Sequence, residues 1–435
     1  MQAGLSTIAV VVAADEASSD EATVQRLVGQ YAKNEHRTGL SNAERVDVFA
    51  QMAAFGVSAT KIAKRTKTKK AEVDAALTVA NSDLAKVATA RHDWLTLGDA
   101  AVLAEYEDDP DAVEQLVAAA EAGRFAHVAQ RLRNDREERR AREQFIAHLT
   151  DAGMSVVETD HDTAVPLYRL LDTEGGEVTE LAHRECPGRA VQIRTAHGYV
   201  DPTTGQPPAC HGCGADAQQM CAEDCTAEDD EDREDDTDVV WRAYPTTQEV
   251  CIDPEDHGHT VRRYDANPYG QEKKKAAEMS EDERAAASAA RRDTIESNKA
   301  WAAAEPVRRE WLTQWATRKT LPKGAGAFLA STLATDPDPV TRIGGKNLAA
   351  TLLGHATGQY GRSSDLTAAI AKASDTRAQV ITLLLVLAGY EDSLSREDWR
   401  TVRESPRRYL TYLASLGYPL SDVERRACGE EPLTT

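Results

Sequence analysis

The chain has 435 residues, 41% of them apolar and 28% charged, and a formal net charge of -21. That length suits roughly two to four domains with cores of their own. No segment approaches the roughly 20 consecutive apolar residues of a membrane helix, the best being 380–388, so a membrane protein is excluded as an expectation. The opening MQAGLSTIAVVVAADEASSD has no basic region before its short apolar run, which argues against a signal peptide and for a cytoplasmic location.

Taken in chain order, STIAVVVAADE reads as a strand and SDEATVQRLVGQYAKN as an amphipathic helix. LSNAERVDVFAQMAAFG follows as a second helix, with Ser41 and Glu44 at capping-box spacing and Gly56 placed to stop it. Its apolar face is expected to be Val46, Phe49, Ala50 and Ala53. Ser58 then caps a short helix, with Val57 and Ile62 at hydrophobic-staple spacing. A turn at 66–68 leads into a helix running from Thr68 to Ala80, whose buried face would be Val73, Ala76, Leu77 and Ala80. This is a helix-turn-helix pattern, and it is basic. Residues 60–80 carry six bases against Glu72 and Asp74, a local net of +4 in an acidic chain.

In a helix-turn-helix the second helix enters the major groove by its first residues while neighbouring cations meet phosphates. Thr68, Lys69 and Lys70 hold the groove-entering positions, Lys67 the turn, and Lys61 and Lys64 the supporting helix. The competing interpretation is a solvated lysine-rich face on a bundle.

Residues 83–153 are expected to be helical, ending in the charged RFAHVAQRLRNDREERRAREQFIAHLTDAG. Within them Glu105, Glu107, Asp108 and Asp109 read as the acidic first turn of the helix PDAVEQL, not as a metal site. From 154 to about 264 the pattern changes to short β-like runs, MSVVE, RAVQIR, VVWRAY and QEVCI, so a domain boundary is placed near Gly153. Residues 222–238 hold eleven acids and one Arg and read as a solvated loop. A linker is expected over 267–275 and helices from Ser280 onward, with Trp301, Trp311 and Trp315 packing and Pro306 opening a second helix.

Six of the seven cysteines fall between 186 and 251. Metal is the natural explanation in a cytoplasmic chain. One set is His183, Cys186 and Cys251 with either His257 or His259. A second is Cys210, Cys213, Cys221 and Cys225, with His211 in reserve. Four ligands would close either site, so both are expected to be structural zinc centres without a catalytic position. A redox role for Cys210-x-x-Cys213 is disfavoured by its proline-rich context.

TIAVVV, VQRLVGQYAKNEHRTGLSNAERVDVFAQMAAFGVSATKIAKRTKTKKAEVDAAL and LTLGDAAVLAEY, in that order, resemble a ParB-type partition protein over roughly residues 3–145. The resemblance implies sequence-specific binding of double-stranded DNA as a homodimer, a role in plasmid or chromosome segregation, a ParA-type ATPase as partner, and a nucleoid- or plasmid-associated location. It also implies a CTP site. Of that site Asn34 and Arg37 match the family's motif, but Lys33 stands where the family has Glu, and AGL lies at residues 3–5 with no Arg-rich motif before it. A Lys there reverses the charge at the position linked to hydrolysis, so little or no CTP binding and no turnover are expected, and Asn34 and Arg37 serve equally well as ties at a helix end.

The expected fold is therefore mainly α with a small α+β insert. Its parts are a remnant of the nucleotide domain over 1–40, a helix-turn-helix and helical region over 41–153, a Cys/His-rich module over 154–266 and a helical domain over 276–435. The expected function is non-enzymatic DNA binding. The alternatives are a zinc-containing interaction scaffold and a transcriptional regulator.

Overall fold

The computed structural model describes residues 20–37, 39–157, 161, 163–201, 240–262, 279–358 and 361–430. The expected opening strand, the acidic run, the 267–275 linker and the second cysteine set lie outside them. The chain divides into two compact units, one made of Met1–Leu132 with Thr294–Thr435 and the other of Arg133–Asp293, which the sequence inserts between those two halves. It is mainly helical with a small mixed sheet.

The first half of the first unit runs α1 (Asp20–Arg37), α2 (Asn42–Ala54), α3 (Ala59–Thr66), α4 (Lys70–Ala80), α5 (Asp83–Arg91), α6 (Leu97–Leu103), α7 (Pro110–Glu121) and the start of α8 (Phe125–Asp151). The caps set these boundaries. Ser41 and Glu44 form the expected reciprocal box at the start of α2, and Asp109 caps α7 ahead of Pro110 by accepting from the Ala112 N–H. Ser58 precedes α3 without a side-chain cap bond, so that helix relies on packing. Burial of Tyr31, Phe49, Met52, Ile62, Val73, Val79 and Leu103 joins the helices in one apolar cluster. Met52 and Val79 take core places that the sequence reading assigns to alanines and to Leu77, because each helix meets neighbours on two sides and widens its buried face.

The inserted unit carries β1 (Val156–Val157), β2 (Ala164–Pro166), β3 (Leu170–Leu171), α9 (Glu180–His183), β4 (Arg189–Val200), β5 (Val240–Ile252) and β6 (Thr260–Val261). One sheet has the order β1-β4-β5-β2 and a second pairs β3 with β6. The two runs VVWRAY and QEVCI are one strand, β5, since antiparallel pairing with β4 continues unbroken from Arg189 opposite Cys251 to Val200 opposite Val240.

The second half of the first unit begins inside α10 (Glu281–Trp315), at Thr294, and follows with α11 (Ala325–Thr335), α12 (Asp338–Thr341), α13 (Ile343–Leu352), α14 (Ser364–Lys372), α15 (Asp375–Ser393), α16 (Glu404–Ser415) and α17 (Asp422–Cys428). Pro306 does not open a helix but lies inside α10. A proline there costs about 3 kcal/mol. Trp301, Ala303 and Ala304 before it and Arg308, Leu312 and Trp315 after it are all buried, which holds the two flanks in line. At the join of the halves Arg124 pairs with Asp422, and the His127 Nε2 lies 2.8 Å from the Pro419 carbonyl.

Candidate nucleic-acid interface and metal centre

The α3–α4 hairpin is built by its C-cap. Lys67 takes the left-handed conformation at φ 58°, and both its N–H and that of Thr68 donate to the Ala63 carbonyl. Thr68 therefore closes α3 instead of opening α4, and the second helix starts at Lys70 with Lys69 as N-cap, two residues later than its sequence suggests. The connection is 67–69, not 66–68. The Thr68 hydroxyl is only half-exposed and meets the Tyr31 hydroxyl at 3.1 Å, which ties the connection back to α1.

Around this turn the acids are already engaged. Arg45 on α2 donates to Glu72 on α4 at 2.8 Å and to Glu35 on α1 at 2.7 Å. Lys70 pairs with Asp74 at 2.6 Å, one turn along the same helix, and Arg65 pairs with Glu21 at 2.9 Å. Lys61, Lys64, Lys67 and Lys69 are exposed, and among the described residues no carboxylate pairs with them. The arrangement can offer four ammonium groups to an anionic polymer from one short hairpin.

Asn34 and Arg37 lie exposed on the last turns of α1. The residue that ties this helix end is Glu35, which accepts from the Leu40 N–H and from Arg45. Neither Glu35, Arg45 nor Tyr31 stands out in the sequence, because each acts through a partner on another helix.

In the inserted unit His183, Cys186, Cys251 and His259 come together, with one ligand atom from each lying within 4.8 Å of the others. This group could hold a metal ion. His183 ends α9, Cys186 sits in the turn before β4, Cys251 is the penultimate residue of β5 and His259 directly precedes β6. The Cys186 and Cys251 sulfurs are 3.8 Å apart, and the His259 Nε2 is 3.6 Å from the Cys186 sulfur. His183 is fully buried, yet neither of its ring nitrogens has a hydrogen-bond partner. A buried imidazole without partners is costly unless something else engages it, and a cation would. Burial pushes the His183 imidazole down from its ordinary value, with His259 adding to the effect, so the ring is kept neutral and able to ligate. Burial likewise pushes the Cys251 thiol up to about 12, with Cys186 adding to it.

Of the two histidines that spacing leaves open, His259 is in the group and His257 is not. His257 instead packs over Gly188. A Cβ at Gly188 would meet the His257 ring, lie 2.6 Å from the Ile252 carbonyl oxygen and lie 2.8 Å from the Cys251 sulfur, so no larger residue fits. Gly188 is thus a site-building residue, signalled only by its place in HRECPG.

Backbone strain marks both places. Among the described residues two non-glycines have left-handed φ, Lys67 in the hairpin and Asp253, two residues after Cys251. Residues held this way cost roughly 1–3 kcal/mol each and concentrate at functional sites.

No protein-family model matches the chain, and no curated protein or solved structure does.

Proposed function

We propose that the protein binds double-stranded DNA through the α3–α4 hairpin, with α4 entering the major groove by its first turn. One observation carries this reading. In a chain with 72 acids to 51 Lys and Arg, four lysines on one hairpin are exposed and unpaired while the nearby acids Glu72 and Asp74 are engaged by Arg45 and Lys70. Unpaired lysines clustered on one hairpin are available to neutralise phosphates and release their counterions. The order of the sequence motifs favours a partition factor of ParB type, acting as a dimer on a two-fold site. Lys33 and the exposure of Asn34 and Arg37 favour one that works without CTP turnover.

Selection from random duplex DNA by the full chain, with and without CTP, tests this. We expect an enriched two-fold sequence in both arms. Replacing Lys61, Lys64, Lys67 and Lys69 together by Ala should lower affinity by about 100-fold at low salt and flatten the salt slope by about 0.9 per lost phosphate contact. No enrichment, or affinity unchanged by the four replacements, would overturn the proposal and leave the interaction scaffold.

The second reading concerns the metal group, which we assign to structural zinc. Two thiolates held tetrahedrally on zinc at about 2.3 Å lie about 3.8 Å apart, and a thiolate and an imidazole lie about 3.6 Å apart. The sulfur pair at 3.8 Å and the sulfur–nitrogen pair at 3.6 Å have those edge lengths. Four protein ligands leave no open position. Elemental analysis should find zinc in the protein and less of it in Cys186→Ser/Cys251→Ser; equal zinc in both would refute the assignment.

A further inference from the structure

Among the described residues the inserted unit is built around small apolar groups and one long strand pair. Among its described residues the apolar clusters are two small separate groups, Leu167, Leu170 and Val178 with Cys251, and Leu149, Val191 and Ile193, with Ala190, Val200 and Val250 buried in the β4–β5 pair besides. The helical halves of the first unit are each tied by a far larger cluster. The strands that accompany the long β4–β5 hairpin are two or three residues long. An isolated two-stranded hairpin is marginal in water, and two-residue strands add few ladder bonds. Against this, the four candidate ligands are drawn from both sheets and from the segment between them, at the same small apolar group that joins Val165 and Cys251 of the larger sheet to Leu170 and Val261 of the smaller one. Cys251 lies in β5 of the larger sheet, His259 adjoins β6 of the smaller one, and His183 and Cys186 lie between β3 and β4. Cys251 and Cys186 also belong to the apolar group formed with Leu167 and Leu170, so the metal would sit where a hydrophobic centre would otherwise be.

We infer that the inserted unit is a metal-conditional fold: residues 163–191 and 248–262 keep their structure only while the His183/Cys186/Cys251/His259 centre is loaded, whereas the first unit folds irrespective of it. The inference rests on the zinc reading and adds regulation to it. Where a preformed site does not exist in the unfolded chain, metal binding free energy becomes folding free energy, and availability of the ion becomes a switch. The first unit is exempt because its halves close on each other through Arg124 with Asp422 and His127 with Pro419 and Tyr418, none of which touches the ligands.

The test is hydrogen exchange on the full chain carrying Cys210→Ser, Cys213→Ser, Cys221→Ser and Cys225→Ser, so that one centre remains, measured with zinc and after chelation. Protection over 165–171, 189–193 and 248–252 should fall by about 100-fold or more on chelation, while 46–52 and 380–391 should be unaffected. Gly188→Ala, which leaves all four ligands in place, should weaken zinc binding by about 10-fold or more and shift the same exchange transition to higher zinc. Zinc that binds but whose removal leaves the sheets protected would overturn the conditional fold and spare the zinc assignment. Loss of protection in both units together would overturn it as well. Failure of the protein to bind zinc at all would refute both.

Discussion

The first unit holds cations in two settings, and they are treated in opposite ways. Arg308 in α10 is buried, and its guanidinium donates to Glu391 at 2.7 and 3.1 Å and to Glu424 at 2.8 Å. Glu391 also accepts from the Tyr409 hydroxyl and Glu424 from Tyr418. Lys61, Lys64, Lys67 and Lys69 of the α3–α4 hairpin have no such company among the described residues. Burial alone would push the Arg308 guanidinium down, but Glu391 and Glu424 hold it well above its usual range. Burial raises the hydroxyls of Tyr409 and Tyr418, and the same carboxylates add to the effect. Every charge in this cluster is spoken for, so it specifies how α10, α15 and α17 meet and offers nothing to a ligand. The difference separates charge that fixes a fold from charge left exposed, which the proposed function assigns to a partner.

Breaking the first kind should have the largest effect. Arg308→Met leaves two glutamates buried without their cation, and such a loss costs about 3–5 kcal/mol. The midpoint of urea unfolding should drop accordingly, with DNA affinity of the folded fraction unchanged. A stability change within experimental error would mean that the cluster is hydrated and not fixing the core.

How much of this was legible in the sequence depends on distance along the chain. The capping box at Ser41 and Glu44 spans three residues, and the spacing His183-x2-Cys186 is as local; both are evident by inspection. The basic hairpin is evident for the same reason. Arg308 and its partners lie 83 and 116 residues apart, and Arg45 reaches Glu72 across 27, so nothing in the local pattern marks them as pairs. The choice of His259 over His257 depends on the turn at 254–257 and on Gly258 at φ 77°, which together carry the chain past one histidine before presenting the next. The helix start at Lys70 depends on Lys67 adopting a conformation that a sequence reader assigns to glycine. Where backbone strain decides a boundary, propensity places it wrongly by a residue or two.

A smaller effect is expected where the two kinds of residue meet. The Tyr31 hydroxyl meets Thr68 in the connection between α3 and α4. Tyr31→Phe removes one part-buried hydrogen bond, worth about 1 kcal/mol of stability. Because the ring stays in the core and no ammonium group is lost, the salt slope of DNA binding should be unchanged while affinity falls by a few-fold at most. A changed salt slope would show that Tyr31 orders the lysines and does more than hold the turn.

The smallest effect separates the two uses of charge at a single position. Lys67 pays a conformational penalty at φ 58° that glycine would not, and a left-handed non-glycine residue costs roughly 1–2 kcal/mol. Glycine gives part of that back through its greater freedom in the unfolded chain, so Lys67→Gly should stabilise the protein by about 0.5–1 kcal/mol. If the ammonium group at that turn meets phosphate, the same change should lower DNA affinity and reduce the salt slope by about 0.9. Opposite signs in the two measurements would identify a residue retained for binding at the expense of stability. Stabilisation with unaltered DNA binding would leave Lys67 as strain without a purpose in the interface, and the hairpin would then present Lys61, Lys64 and Lys69 alone.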